Sequence, residues 1–208
     1  CLSDARIREA IERHGDELAL VLFSGVHYYT GQAFDLEMIT EAAHEVGAQA
    51  GFDLAHAVGN VPLDLHDSGA DFAVWCNYKY MNAGPGAIGG YFVHERHGEA
   101  EDLPRFEGWW GNNPETRFEM RPDFEPQQGA GAWELSNAPV FSLAPLEASL
   151  ELFEEAGMET LRDKSVALTD YMLELLDSIP DTPFEIITPR DPARRGCQLS
   201  IRAPGMGQ

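Results

Sequence analysis

Residues 48–57 read AQAGFDLAHA, a short apolar run that ends in an acidic residue and a histidine. A run like residues 48–54 is typical of a strand buried in a parallel sheet. Similar runs occupy residues 18–24 and 70–77, and residues 35–46 carry apolar side chains at helical spacing. Strand, helix and strand in this order predict a parallel crossover, and therefore an α/β domain with a mainly parallel sheet and flanking helices.

The remaining segments extend this domain and then leave it. We predict a helix at residues 3–14 capped by Ser3, a strand at 89–94, helices at 143–156 and 158–178, and short strands at 184–188 and 197–203. Residues 98–140 are rich in Pro, Gly, Asn and Trp and show little periodicity. A long irregular segment inside a compact domain is often functional.

These segments predict three parts. Residues 1–142 belong to a large domain, residues 143–180 form connecting helices, and residues 181–208 begin a small α+β domain. The chain does not begin with Met, and it stops just after a strand-like run. We therefore expect it to be a piece of a longer protein.

Polar side chains follow each of the three apolar runs. In open α/β sheets, ligands bind beyond the carboxyl ends of the strands, where such side chains meet. The six candidates at these positions are Ser24, His27, Asp53, His56, Tyr78 and Lys79.

Lys79 is the most informative of these residues, because the chain has only one other lysine, Lys164. A lysine after one strand and a carboxylate, Asp53, at the end of another are what pyridoxal phosphate requires. The lysine forms a Schiff base with the cofactor, and the acid pairs with its ring nitrogen. The sequence thus predicts pyridoxal phosphate as the cofactor.

Other interpretations of these residues are weaker. Asp53 alone could simply cap a following helix. A Ser24–His27–Asp53 hydrolase would lack the G-x-S-x-G turn that exposes the nucleophile. The histidines have no partners at zinc-ligand spacing, so no metal site is predicted.

Composition excludes several classes of partner. The net charge of −21, with 35 acidic against 14 basic residues, argues against nucleic acid, which needs clustered Lys and Arg. No apolar run approaches the length of a membrane helix, so no membrane partner is expected. Three cysteines without C-x-x-C spacing or a signal sequence favour a reducing cytoplasm. An acidic, lysine-poor surface fits either a protein that works in high salt or an ordinary acidic protein.

Several motifs together resemble the kynureninase family, within the fold-type-I pyridoxal-phosphate enzymes and the class-V aminotransferase superfamily. The matching segments are 24–32 (SGVHYYTGQ), 51–60 (GFDLAHAVGN), 78–84 (YKYMNAG), 108–111 (GWWG), 116–118 (TRF), 136–139 (SNAP) and 195–199 (RGCQL). The resemblance runs nearly end to end, and the second and third segments are specific in combination.

The resemblance implies a role for each matching residue. Lys79 would carry the cofactor, Asp53 would pair with its ring nitrogen, and His56 would lie near its phenolic oxygen. Ser24 and Tyr78 would bind its phosphate, with Tyr78 also moving protons. The remaining implied residues are Trp109 and Asn137, which would bind the cofactor across a homodimer interface, and Asn112 and Ser136, which would contact substrate.

The resemblance also implies the reaction. Such an enzyme hydrolyses L-kynurenine or its 3-hydroxy form to anthranilate or 3-hydroxyanthranilate and L-alanine, in tryptophan catabolism. Family members are about twice this length, and the segment with the arginine that holds the substrate carboxylate is absent. The alternatives are another fold-type-I enzyme, such as a cysteine desulfurase or a class-V aminotransferase, or an inactive cofactor-binding fragment.

Overall fold

A four-stranded sheet forms the centre of the molecule. The computed structural model describes residues 1–98, 103–180 and 184–205. The strands lie in the spatial order β1-β2-β3-β4, which is also their order in the sequence. They are β1 (Leu20–Ser24), β2 (Gln49–Asp53), β3 (Phe72–Cys76) and β4 (Gly89–Val93). The first three are parallel and β4 is antiparallel to β3, which confirms the predicted mainly parallel sheet.

The core lies between the sheet and two helices, α1 (Asp4–His14) and α2 (Leu36–Glu45). Phe52 of β2 and Ile39 of α2 are completely buried there. Gly51 is required beside them, because a Cβ at this position would lie 2.2 Å from the ring of Phe72. The close contact of β2 with β3 therefore depends on the missing side chain.

The two helices begin differently. Asp35 caps α2, since its Oδ1 accepts a hydrogen bond from Met38 N at 3.0 Å. The predicted cap of α1, Ser3, makes no such side-chain bond, and only its backbone carbonyl accepts from Arg6 N and Ile7 N. Gly47, with a φ of +80°, follows the end of α2 as expected for a left-handed terminus.

Only one face of β1 is covered by the described residues. Val21 is buried, whereas Leu20 and Leu22 are 42% and 58% exposed. The prediction of a buried parallel strand therefore holds for one face of β1 only, in the part of the chain described here. Val74 of β3 is likewise exposed.

A buried carboxylate joins the elements at the amino-terminal edge of the sheet. Asp71 accepts hydrogen bonds from Ala50 N at 2.6 Å and from Arg96 Nη2 at 2.7 Å. It also contacts the Nε2 atoms of His44 at 2.8 Å and of His97 at 2.6 Å. Despite its burial, these partners hold the pKa of Asp71 well below its ordinary value. The carboxylate thus ties α2, β2 and the short helix α3 (Glu95–Gly98) together.

The second half of the chain is mainly helical after an irregular segment. Residues 103–139 contain three short 3₁₀ turns, at Trp109–Gly111, Arg117–Glu119 and Gly129–Trp133. Two long helices follow, α4 (Val140–Ala156) and α5 (Met158–Ser178). Helix α4 begins three residues earlier than predicted and accommodates Pro145 in its second turn.

Two very short strands end the described chain. β5 (Glu185–Ile186) and β6 (Ile201–Arg202) pair antiparallel, apart from the central sheet. The predicted strands at 184–188 and 197–203 are therefore in the right places but too long. The backbone of residues 197–200 instead bonds to loops of the large sheet and to Ile187.

Candidate active site

The carboxyl ends of β1, β2 and β3 meet at one rim of the sheet. The strand register places Ser24 beside Asp53 and Asp53 beside Val74. The loops that leave these ends carry all six polar candidates. Because the three strands are parallel neighbours, the structure brings these loops together as the sequence predicted.

Lys79 lies in the tight connection between β3 and β4. Ala83 N donates to Asn77 O at 2.9 Å, and Asn82 adopts a left-handed φ of 55°. The side chain of Asn77 fixes the connection, since its Nδ2 donates to Ile88 O at 2.8 Å and its Oδ1 accepts from Trp75 Nε1 at 3.1 Å. Lys79 is half-buried, so its amine is held at the rim by a rigid turn.

Tyr78 precedes the lysine and stands more in solvent. Its side chain is 52% exposed, and the amine Nζ of Lys79 lies 5.7 Å from its ring centroid. The phenol and the amine therefore occupy the same end of the sheet. Both are accessible to a ligand that binds there.

Asp53 ends β2 with an exposed side chain. Its Oδ1 accepts a hydrogen bond from Ala55 N at 2.9 Å, so the carboxylate does cap the turn that follows it. The capping interpretation is therefore correct for this oxygen. Capping and ligand binding are compatible, because the carboxylate has two oxygens and the residue remains exposed.

His56 lies among the charged candidates. Burial lowers the pKa of His56 below its ordinary 6.5, and the positive charge of Lys79 lowers it further, while Asp53 raises it and His27 lowers it. These effects together favour the neutral imidazole. Its Nδ1 is buried and has no hydrogen-bond partner among the described residues. A buried polar atom without a partner is expensive, so this nitrogen is suited to a ligand.

A cavity of about 580 Å³ opens beside Lys79. Its polar wall includes His56, Asn60 and Cys197, and Phe153 and Leu161 from α4 and α5 supply apolar surface. The cavity is large enough for a cofactor or a small substrate. The central sheet, the two long helices and the C-terminal segment therefore all contribute to it.

Trp109 and Asn112 lie elsewhere, beside a small cavity of about 80 Å³. The Trp109 indole Nε1 donates to Arg117 O at 3.0 Å, and its ring packs edge-on against Phe118. Arg117 lies over Trp110, 4.4 Å from the ring centroid, and donates to Asn112 O at 3.0 Å. The described contacts thus join these residues to one another and not to Lys79.

Ser136 and Asn137 are exposed on the segment before α4. The Ser136 hydroxyl donates to Asn137 Oδ1 at 3.3 Å. Next to them, Val140 and Phe141 are 72% and 96% exposed. This region is therefore an apolar surface with two polar side chains at its edge.

Sequence reasoning missed three residues around the cavity, Asn60, Tyr80 and Cys197. The Tyr80 hydroxyl and the Cys197 thiol both line the cavity and lie close enough for each to affect the pKa of the other. Burial, together with Cys197, raises the pKa of Tyr80 to about 12, and burial raises the pKa of Cys197. All three stand in matching motif segments, which are 51–60, 78–84 and 195–199, but their residue types do not reveal that they meet at one cavity.

The described residues provide neither a metal site nor a membrane-spanning helix. Within residues 1–98, 103–180 and 184–205, no group of three or more His, Cys, Asp or Glu side chains is placed to hold a metal ion. No helix in the same ranges has the length and apolar character needed to cross a membrane.

Comparisons with known proteins identify relatives over almost the whole chain. The aminotransferase class-V family model matches residues 4–205. A protein named kynureninase from Myxococcus xanthus is 60% identical over 202 residues, which are 97% of this chain and 47% of that protein. The chain therefore spans about half the length of the curated relatives it matches.

Solved structures share the fold at low identity. The cysteine desulfurase CsdA from Escherichia coli has a TM-score of 0.74 at 19% identity, covering 97% of this chain and 47% of that one. A C-DES mutant with glycine covalently linked to its pyridoxal-phosphate cofactor has a TM-score of 0.73 at 21% identity, covering 92% and 49%. Identity this low is informative about the fold alone.

Proposed function

Because the chain belongs to the aminotransferase class-V family, we propose that it forms the lysine-bearing part of a pyridoxal-phosphate-dependent kynureninase. The 60% identity to a protein of that name carries the proposal. The reaction is hydrolysis of L-kynurenine, or 3-hydroxykynurenine, at the bond between Cβ and Cγ. Its products are anthranilate, or 3-hydroxyanthranilate, and L-alanine.

The residues at the rim fit pyridoxal phosphate chemically. The Lys79 amine can form the covalent link, and the Asp53 carboxylate can pair with a protonated ring nitrogen. The orphaned Nδ1 of His56 offers a donor or acceptor to an oxygen of the ring. The hydroxyls of Ser24 and Tyr78 can donate hydrogen bonds to a phosphate. Neutral donors of this kind can hold a phosphate in a chain that has few lysines to do so.

Each of these side chains would have a defined task. Pyridoxal phosphate, when bound, withdraws electrons from the substrate's α-carbon. The free amine of Lys79 would be placed to take the proton from that carbon. Asp53 would favour a protonated ring nitrogen, because an opposite charge favours the charged form. Tyr78 is the candidate acid or base for later proton transfers, since its hydroxyl lies at the same rim.

A cysteine desulfurase is a weaker assignment for this chain. Such an enzyme needs a reactive thiolate, which a low pKa and an electropositive setting provide. Desolvation in the cavity wall instead raises the pKa of the Cys197 thiol, which lines the cavity beside Lys79 although part of the residue stays exposed. The shared fold therefore does not carry the desulfurase function to this protein.

We further propose that two copies of the protein share their active sites. Trp109 and Asn137 would reach a neighbour's cofactor, and the exposed Val140 and Phe141 beside Asn137 would be buried between the copies. Ser136 and Asn112 are the tentative substrate contacts in this arrangement. A separate β5–β6 sheet supports the assignment of residues 181–208 to the beginning of a second domain. The reducing cytoplasm suits its free cysteines.

Borohydride reduction tests the assignment of Lys79. We expect the intact protein to bind pyridoxal phosphate, and reduction to fix a phosphopyridoxyl group on the peptide that contains Lys79. Lys164, in α5, is the internal control, because it is the other lysine of the chain. A label on Lys164, or no label, would refute the proposal. Release of anthranilate from kynurenine then tests the reaction itself.

A further inference from the structure

Residues 194–200, which we call the strap, lie across the loops of the candidate active site. Their first contacts are with the loop after β1. Ala33 N donates to Arg194 O at 2.9 Å, and Gly196 N donates to Gly31 O at 3.0 Å. Further along, Gln198 Nε2 donates to Tyr28 O at 2.8 Å. The strap thus pairs with the loop that follows Ser24.

Asn60 connects the strap to the loop after β2. Its Nδ2 donates to His56 O at 2.8 Å, and its Oδ1 accepts from Cys197 N at 2.8 Å. The residue is only 4% exposed, so both ends of the amide are used in a buried setting. A Cβ at Gly196 would lie 2.4 Å from Asn60 Nδ2, so glycine is needed for the approach.

The strap also reaches the loop after β3, which carries Lys79. Cys197 of the strap and Tyr80, the residue after Lys79, line the same cavity beside the lysine. One seven-residue segment therefore touches the loops of all three parallel strands. The candidate site residues of those loops lie within residues 24–32, 51–60 and 78–84. The strap, at residues 194–200, is more than 100 positions further along the chain.

A fully buried arginine anchors the strap to α5. Arg195 is 0% exposed, and its Nη2 pairs with Asp170 Oδ1 at 2.5 Å and donates to Thr169 Oγ1 at 3.1 Å. From the same helix, Arg162 Nη2 donates to Arg195 O at 2.9 Å. Because displacing Arg195 would break its ion pair with Asp170 and its hydrogen bond to Thr169, these contacts hold the strap in place.

We propose that the strap sets the relative positions of the three loops, and that Asn60 is the positioning residue through which it holds His56. Asn60 bonds the backbone of His56 rather than a ligand, so it acts on the site indirectly. The relevance to catalysis rests on the proposed function. The mechanical role of the strap stands on the contacts alone.

Two variants of the intact protein test this proposal. Asn60→Ala removes both hydrogen bonds of the side-chain amide, to His56 O and from Cys197 N. Gln198→Ala is a milder change that removes the hydrogen bond from the strap to Tyr28 O. We expect faster hydrogen exchange in residues 25–33 and 54–58 for Asn60→Ala, and in residues 25–33 for Gln198→Ala. We also expect Asn60→Ala to weaken pyridoxal-phosphate binding about tenfold, since a lost buried hydrogen bond is worth roughly 1–2 kcal/mol.

His44→Ala is the matched control, because it removes one hydrogen bond to Asp71 at the opposite edge of the sheet. It should lower the melting temperature without changing cofactor affinity or exchange in the two loops. The strap proposal is overturned if exchange in both variants rises only within residues 194–200 and cofactor affinity stays within twofold. If the unmodified protein binds no pyridoxal phosphate, the proposed function fails, and hydrogen exchange still decides the role of the strap.

Discussion

Asp53 and Lys79 approach the rim on different strands, and each is fixed by its own turn. The Asp53 carboxylate caps Ala55 N, while the turn of Lys79 is closed through Asn77. Neither residue depends on the other for its position. Their roles can therefore be separated by substitution.

Asp53→Asn separates them most directly. The amide keeps an oxygen that accepts from Ala55 N, but it lacks the negative charge. Loss of that charge would lower the pKa of a paired ring nitrogen by about 1–3 units. We expect activity to fall at least roughly tenfold, since one pKa unit is about 1.4 kcal/mol. Steady-state kinetics with kynurenine measure the loss. The borohydride label on Lys79 should persist, and near-normal turnover at normal cofactor content would disprove the role.

Residues with distinctive chemistry were predictable one at a time. Lys79 and Asp53 follow from the scarcity of lysine and the spacing of the apolar runs. The contact between Asn60 and Cys197 carries no comparable signal, because the two residues are 137 positions apart and the bond joins a side chain to a backbone amide. The roles of all the site residues stay predictions: Ser24, Asp53, His56, Tyr78, Lys79, Trp109, Asn112, Ser136 and Asn137.

At the scale of elements, the Asp71 cluster holds the amino-terminal edge of the sheet. The pKa of Asp71 is lowered in the folded protein, so the ionised carboxylate stabilises the fold. This stabilisation is complete at pH values above the pKa of Asp71 in the unfolded chain, about 3.8. That stabilisation is lost as the pH falls from there towards the lower folded-state pKa. The wild-type protein should therefore lose stability steeply in this acid range.

Asp71→Asn tests this pH dependence. We expect a loss of about 2–3 kcal/mol at pH 7, less than for fully buried pairs because Arg96 stays partly hydrated. The dependence on pH below about 4 should become flatter. Urea unfolding at several pH values measures both effects. Asp177→Asn, in an exposed pair with Arg190, is the control and should change little; equal effects of the two substitutions would contradict the cluster's importance.

Apolar runs in the sequence predicted where the strands and helices lie. They did not predict which other elements pack against each strand. The runs identify all four strands of the sheet, yet the exposed side chains of Leu20 and Leu22 show that an apolar run does not report what covers it. β5 and β6 are short because the strap between them bonds to other loops. Side-chain contacts of this kind leave no periodicity in the sequence.

At the scale of the whole molecule, the net charge of −21 predicts a response to salt. Screening weakens repulsion within the acidic surface, and the Debye length falls from ~10 Å at 0.1 M to ~3 Å at 1 M salt. We expect the melting temperature to rise with potassium chloride over this range. If the melting temperature stays constant or falls as salt is added, the protein is not adapted to high salt and is an ordinary acidic protein. Any further rise in multimolar salt would reflect stronger apolar burial.

Shared active sites predict complementation between two inactive variants. Lys79→Ala lacks the lysine, and Asn137→Ala lacks the residue offered to the neighbour. After subunit exchange, half of the dimers should be mixed and contain one intact site, which restores roughly a quarter of wild-type activity. Kynurenine hydrolysis measures the recovery. Mass spectrometry first demonstrates that subunits have exchanged. If activity then does not recover, each site is built within one chain.

The strap has a consequence for the order in which the protein matures. Gln198 meets Tyr28 across 170 positions of the chain, whereas β1 and β2 pair across a short connection. Contacts between distant segments form late, because a long loop must close first, and a ribosome releases the amino-terminal segments earliest. A nascent chain would thus display Lys79 on a folded sheet well before the surrounding loops are held in place. Cofactor binding by a single chain should therefore tighten once residue 200 has emerged.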